Sequence, residues 1–211
     1  MDILLEGGAA LAKRDYTLMI DQSASMMIKD SSEDQPRWEA IQASTLALAT
    51  RCEQLDPNGI TIYLFADQFQ RYENVTSAKV AEIFQTHQPS GTANLAVVLQ
   101  DALNQYFDRR ARETLQPNGE TIVIVTGGET DHNQALREMI INAANQLTEP
   151  TELGIELIQV GANSAVRKLF KALDHDLKSS GAKYDICNTI TFEAMAESNL
   201  SEVLLSAVFG A

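Results

Sequence analysis

The 211-residue sequence predicts an α/β fold: a doubly wound, mainly parallel central sheet with helices on both faces. Three observations predict it. Short runs dense in apolar and β-branched residues recur along the chain. Longer stretches of helical period separate them, and Gly, Pro and Asn mark the junctions. Strands spaced by helices of this length need crossover connections, which are right-handed and cover a parallel sheet on both sides.

The elements follow in order. Tyr16-Thr17-Leu18-Met19-Ile20 is a strand of the kind buried on both faces, ending at Asp21. Arg37 to Leu55 reads as a helix with Trp38, Ile41, Leu48, Cys52 and Leu55 at helical spacing, stopped by Asp56-Pro57-Asn58-Gly59. Ile60 to Phe65 is the second strand and Phe69 to Asn74 a short edge strand. Ala78 to Thr86 is a helix ending near Pro89-Ser90-Gly91, and Asn94 to Arg112 another, closed by Pro117-Asn118-Gly119. Thr121 to Thr126 is the clearest strand, β-branched almost throughout and broken by Gly127-Gly128. His132 to Leu147 is helical, Ile155 to Val160 a strand, Ala165 to Leu177 a helix, Tyr184 to Ile190 the last strand and Leu200 to Phe209 the last helix. No linker, repeat or low-complexity segment interrupts this series, so one domain is expected over residues 1–211, its core at about 14–209.

The chain carries 29 Asp and Glu against 16 Lys and Arg, a formal net charge of −13. Nucleic-acid backbones and anionic membranes would be repelled, so no nucleic acid and no membrane is expected as a main partner, and the charge favours cations and basic partner surfaces. The opening Met1-Asp2-Ile3-Leu4-Leu5-Glu6 has acids where a signal peptide needs a basic lead, and no run approaches the ~18 apolar residues of a membrane span. A cytoplasmic location is therefore expected, and Cys52 and Cys187 are read as two reduced thiols.

Open α/β sheets bind ligands in the loops at the carboxyl ends of their strands. After the first strand, Asp21-Gln22-Ser23-Ala24-Ser25 can aim a carboxylate and two hydroxyls at one point. These are hard oxygen donors, suited to Mg²⁺, Mn²⁺ or Ca²⁺ and not to zinc or copper. Ser90-Gly91-Thr92 offers a further hydroxyl at a helix start, and Thr126-Gly127-Gly128-Glu129-Thr130-Asp131 a third loop with two carboxylates. Taken singly, Ser23, Ser25 and Thr92 each read better as helix caps. Their joint occurrence with Asp21 favours a metal site or its descendant.

Asp-x-Ser-x-Ser after the first strand, Gly-Thr before a helix and Thr-x-Gly after the strongest strand together resemble the von Willebrand factor A family. Arg37-Trp38-Glu39, the strand from Gly154 to Gly161 and Lys183-Tyr184-Asp185-Ile186 resemble its intracellular bacterial and fungal members, including the tellurium-resistance-associated type. The resemblance spans nearly the whole chain. It implies a Rossmann-like fold and a metal-ion-dependent adhesion site with Asp21, Ser23, Ser25 and Thr92 as ligands. It also implies a non-enzymatic role, in which an acidic side chain of a protein partner completes the coordination of a divalent cation. The family's Thr-Asp-Gly is here Thr126-Gly127-Gly128, so the second carboxylate is missing. Three arrangements stay open: Glu129 or Asp131 replaces it, the partner's carboxylate supplies the charge, or the loops bind without metal.

Other candidates point elsewhere. His87, His132 and His175 read as surface or capping residues, with His132 beside the binding loops. Arg109-Arg110-Ala111-Arg112 reads as a solvated helix end, and Met26-Met27-Ile28 either as packing beneath the first loop or as an adaptable contact surface. Gly161-Ala162-Asn163-Ser164-Ala165 lacks the glycines of a nucleophile elbow. A metal-dependent phosphotransfer reading would need Lys29, the nearest base after the first strand, to fold back.

Overall fold

The computed structural model describes residues 8–29, 35–56, 58–128 and 133–210. The sheet comprises β1 (Asp15–Asp21), β2 (Ile60–Phe65), β3 (Phe69–Val75), β4 (Glu120–Thr126), β5 (Leu153–Gln159) and β6 (Cys187–Thr191). Their order is β3-β2-β1-β4-β5-β6. All pairings are parallel except that of β3, which turns back antiparallel on β2. β3 closes one edge with charged Arg71 and Glu73 on a half-exposed strand, a pattern that discourages further pairing.

The helices are α1 (Arg37–Ala40), α2 (Gln42–Leu55), α3 (Ser77–Thr86), α4 (Leu95–Ala111), α5 (Asn133–Gln146), α6 (Ser164–His175), α7 (Phe192–Glu197) and α8 (Leu200–Phe209). Strand alternation divides the core in two. Met19, Ile122, Ile124 and Leu157 face Leu99 of α4, Ile140 of α5 and Phe170 of α6. Leu18, Ile20, Val123 and Val125 face Trp38 of α1, Leu48 of α2, Val80 of α3 and Leu204 of α8. The α/β architecture with a mainly parallel, doubly covered sheet is thus as the residue pattern predicts.

Boundaries differ in places, for local reasons. The expected helix 37–55 is divided at Ile41, whose angles (φ −79°, ψ −13°) tighten one turn without breaking the chain of bonds, since Thr45 still donates to its carbonyl. The last strand begins at Cys187 and not at Tyr184. Asn145 and Thr148 hold the preceding segment against the end of α5, through Lys183 N to Asn145 Oδ1 (2.7 Å) and Tyr184 Oη to the Thr148 carbonyl (2.5 Å). The unforeseen α7 starts where the Thr191 hydroxyl accepts from Ala194 N.

The amino ends of the strands are tied by charge. Arg14, 1% exposed, donates to Thr121 Oγ1 and the Glu120 carbonyl (both 2.6 Å) and to the carbonyls of Thr151 and Asn118. Burial lowers its pKa to about 10, which leaves it charged at neutral pH. Arg109 meets buried Glu120 at 2.5 Å, and Arg110 meets Glu152 at 3.2 Å. The basic cluster is therefore a structural clamp and not the solvated helix end its sequence suggests. Cys52 and Cys187 are buried and unbridged.

Two features generate tests of stability. Gly154 has no room for a side chain: a Cβ there would lie 2.2 Å from the Ala207 carbonyl oxygen of α8. Gly154→Ala should cost about 1–3 kcal/mol in urea unfolding by forcing α8 off the sheet. Glu156 is buried between β6 and α8, where Asn188 Nδ2 donates to both carboxyl oxygens (2.8 and 3.0 Å) and Ser206 Oγ to one (3.1 Å). Burial pushes its pKa up to about 8, so the folded protein holds a proton that the unfolded chain releases near 4.5. Stability should accordingly fall as pH rises through that window, by at most about 1.4 kcal/mol per pH unit. Glu156→Gln should remove this slope. Urea unfolding at about pH 5 and about pH 8 checks it, and parallel slopes in the two proteins would refute it.

Candidate functional site

The chain runs outward from β1 to β2 and β3, then returns to place β4 on the other side of β1. Connections leaving β1 and β4 therefore diverge, and a crevice opens between their carboxyl ends. Asp21 ends β1 there and Thr126 ends β4.

Asp21 is fully buried and its carboxylate organises the crevice. Oδ1 accepts from Ser23 N (2.7 Å), which folds the first loop back on itself. Oδ2 accepts from Thr126 Oγ1 (2.6 Å) and Gly128 N (3.3 Å), which ties the first loop to the third. The second loop is sewn in by backbone: Ala24 N donates to the Gly91 carbonyl (2.9 Å) and Ser90 N to that of Gln22 (2.8 Å).

The hydroxyls are not helix caps. Ser23 precedes a 3-10 turn (Ala24–Met27) without capping it, and its Oγ lies 2.8 Å from Ser25 Oγ. Asn94, not Thr92, caps α4. Ser23, Ser25 and Thr92 instead line one cleft of about 320 Å³, together with Ile28, Arg37, Gly128 and Asn163. Three of the four ligands that the resemblance implies thus share a cavity, and Asp21 stands behind them, with Oδ2 3.1 Å from where a Cβ on Gly128 would be. Glu129 and Asp131 lie outside the described residues, as does His132.

Position 127 lacks more than a carboxylate. A Cβ on Gly127 would lie 2.7 Å from the Val160 carbonyl and 3.0 Å from Arg37 Nη1. Arg37, 5% exposed, donates through Nη1 to the carbonyls of Gly127 (3.2 Å) and Ser25 (3.4 Å). Its guanidinium also fills the space beside Gly161, where φ is +78° and a Cβ would stand 2.4 Å from Nη2. The ends of β4 and β5 are thus glycine on the sides that face this cation. A second carboxylate, Asp67 of the β2–β3 turn, accepts from Thr92 N (2.9 Å) and packs against Gly91 at φ +75°.

The sequence reading missed Arg37, Asp67 and Asn163 as site residues. Arg37 had a signal, since Gly127 and Gly161 end neighbouring strands and so leave space for a bulky group. Asp67 had none, because nothing in a short turn ties it to Thr92, 25 residues on. The methionines divide between both readings: Met26 is buried beneath the loop, while Met27 and Ile28 are each 48% exposed at its rim.

A divalent cation suits this donor set in part. Hard oxygens face one cleft and Asp21 fixes their loop, but a cationic guanidinium lines the wall where a second carboxylate would be. Such a set would hold an ion weakly until another anion joined it.

No protein-family model matches the chain, and no curated protein matches it. Among solved structures, the fold is similar to that of a mutant form of the PilB minor pilin from Streptococcus sanguinis, with a TM-score of 0.57. The two are 11% identical over 90% of this chain and 60% of the pilin chain. The chain thus spans about 60% of that protein's length, and at this identity the likeness is one of fold alone.

Proposed function

We propose that the chain is a von Willebrand factor A-type, Rossmann-like interaction module that binds an acidic side chain of a protein partner at the cleft between β1 and β4. The observation that carries this reading is the gathering of Ser23, Ser25 and Thr92 around one cavity, over a buried Asp21 that bonds two of the three loops together. Ser23, Ser25 and Thr92 would hold Mg²⁺, Mn²⁺ or Ca²⁺, with Asp21 supplying the fixed negative charge behind them. The ion would supply positive charge for a partner carboxylate. The role is binding and not catalysis.

The surroundings support an interaction surface. Met27 and Ile28 expose apolar surface at the rim, and Val97, 48% exposed, does so on the first turn of α4 after Thr92. Apolar contacts around a polar centre exclude water from the charged contact, which strengthens it.

Arg37 favours a second reading, in which the same loops bind an acidic partner without metal. Its guanidinium lines the cleft and takes up the space beside Gly127. Gly127→Asp therefore does not simply restore a ligand. The added side chain would press on the Val160 carbonyl, and the variant should be less stable by about 1–3 kcal/mol.

Thermal unfolding of EDTA-stripped protein separates the two readings. An ion at ~100 times its Kd adds about 2.7 kcal/mol of stability. For a domain of this size that is a rise of about 5–10 °C, expected with at least one of Mg²⁺, Mn²⁺ and Ca²⁺ and lost in Ser25→Ala/Thr92→Ala. A flat response to all three ions would sink the metal reading and leave the metal-free one. Asp21→Ala is a poor probe of metal, because it strands the donors of Ser23, Thr126 and Gly128. It should cost several kcal/mol with EDTA present, and a loss below about 1 kcal/mol would contradict the anchoring role.

A further inference from the structure

We infer that a second cavity, at the carboxyl ends of β5 and β6, takes an acidic segment of the protein partner. It measures about 350 Å³ and is lined by Gln159, Arg167, Lys171, Thr189, Ile190 and Thr191. Arg167 and Lys171 stand one turn apart on α6, so both cations project from one helix face into the same space.

Their shared cavity is the telling feature. Acids outnumber bases 29 to 16 in this chain, and several of the other bases meet acids. Arg71 meets Asp101 and Glu73, Lys79 meets Glu82, Arg109 meets Glu120 and Arg110 meets Glu152. Among the described residues, neither Arg167 nor Lys171 has a side-chain hydrogen bond or ion pair, and both are exposed. Like charges at this spacing repel by a few tenths of a kcal/mol, a cost that an anion between them would reverse. Lys168 adds a third cation to the helix, which has no acid before Asp174. Asp174 is turned to other donors, with Oδ2 accepting from Thr189 N (3.1 Å) and Oδ1 3.1 Å from His175 Nδ1.

Thr189 Oγ1 donates its proton to the Leu157 carbonyl, while Thr191 Oγ1 accepts from Ala194 N and keeps its own proton to donate. Recognition therefore falls to the two cations and this hydroxyl, with Ile190 and the aliphatic stems as apolar floor. This chemistry suits spaced carboxylates.

The cavity adjoins the cleft. Gln159 lines the cavity and donates through Nε2 to the carbonyls of Gly161 (3.2 Å) and Asn163 (2.9 Å), while Asn163 lines the cleft. The turn 159–163 is thus a shared wall. An extended segment with one acidic side chain in the cleft can place further carboxylates at Arg167 and Lys171. This inference rests on the reading of an acidic partner and adds a second, metal-independent contact to it.

Fluorescence anisotropy of a labelled oligoglutamate peptide tests it, with EDTA present. The wild-type chain should bind with an affinity that falls as salt rises, and Arg167→Glu/Lys171→Glu should weaken binding about tenfold. Both positions are exposed, so this variant should keep the wild-type melting temperature. Ser25→Ala/Thr92→Ala should bind under EDTA as the wild type does. Absence of binding by the wild type, or equal binding by the charge-reversed variant, overturns the inference. So does an oligonucleotide that displaces the peptide more effectively than unlabelled peptide. Peptide binding lost only in Ser25→Ala/Thr92→Ala overturns it while leaving the cleft reading intact. Loss only on charge reversal upholds it, whatever the metal titration gives.

Discussion

The carboxylate of Asp21 sits where the two halves of the sheet part, and the geometry of the candidate site depends on it. Three donors converge on it: the amide of Ser23, the hydroxyl of Thr126 and the amide of Gly128. Ser23 and Gly128 lie on the loops that follow β1 and β4, and Thr126 is the last residue of β4. In a buried position a carboxylate is tolerated only if its oxygens are satisfied, and the loops that satisfy it are fixed in return. Strand β1 thus serves both the sheet and the loops: its apolar run seats the sheet, and its last side chain aligns the loops that line the cleft.

Among the described residues, Asp21 is the buried carboxylate of that cleft, and Arg37 adds a cation to its wall. In a divalent site, two fixed negative charges would offset the ion. Here the wall beside Gly127 carries a guanidinium, held by the carbonyls of Gly127 and Ser25. Glycines at 127 and 161 are the sequence condition for this, because a Cβ at either position would press on the arginine. The absence of a Cβ at 127 both removes a carboxylate and leaves room for the guanidinium. In the proposed reading an ion would meet Asp21 and this cation together, and a partner carboxylate would add negative charge.

How far the sequence could carry this follows from the range of the interactions. Strands β1, β2 and β4 were legible because burial on both faces writes itself into consecutive residues. Asp21, Ser23 and Ser25 were legible because a ligand loop on one tight turn is local. Helix α7 and the late start of β6 were not, since they depend on single side-chain bonds from Thr191, Asn145 and Thr148. Arg37 was legible only as the opening of a helix. Its place at the cleft arises from loops 90 and 124 residues further on, and no local pattern records that.

The two edges of the sheet use cations in different ways. At the amino edge, Arg14, Arg109 and Arg110 are drawn into Glu120, Glu152 and carbonyls of the adjoining turns. Burial lowers the pKa of Arg14, and it stays charged because those acceptors surround it. A cavity of about 390 Å³ lies at this edge as well, and its charged lining, Arg14, Glu149 and Glu152, sets two acids beside one base. At the carboxyl edge, hydroxyls face an open cleft, and Arg167 and Lys171 face a cavity without intramolecular acids among the described residues. Two cations that face a cavity, beside a cleft lined by hydroxyls, are the groups that the proposed acidic partner would use.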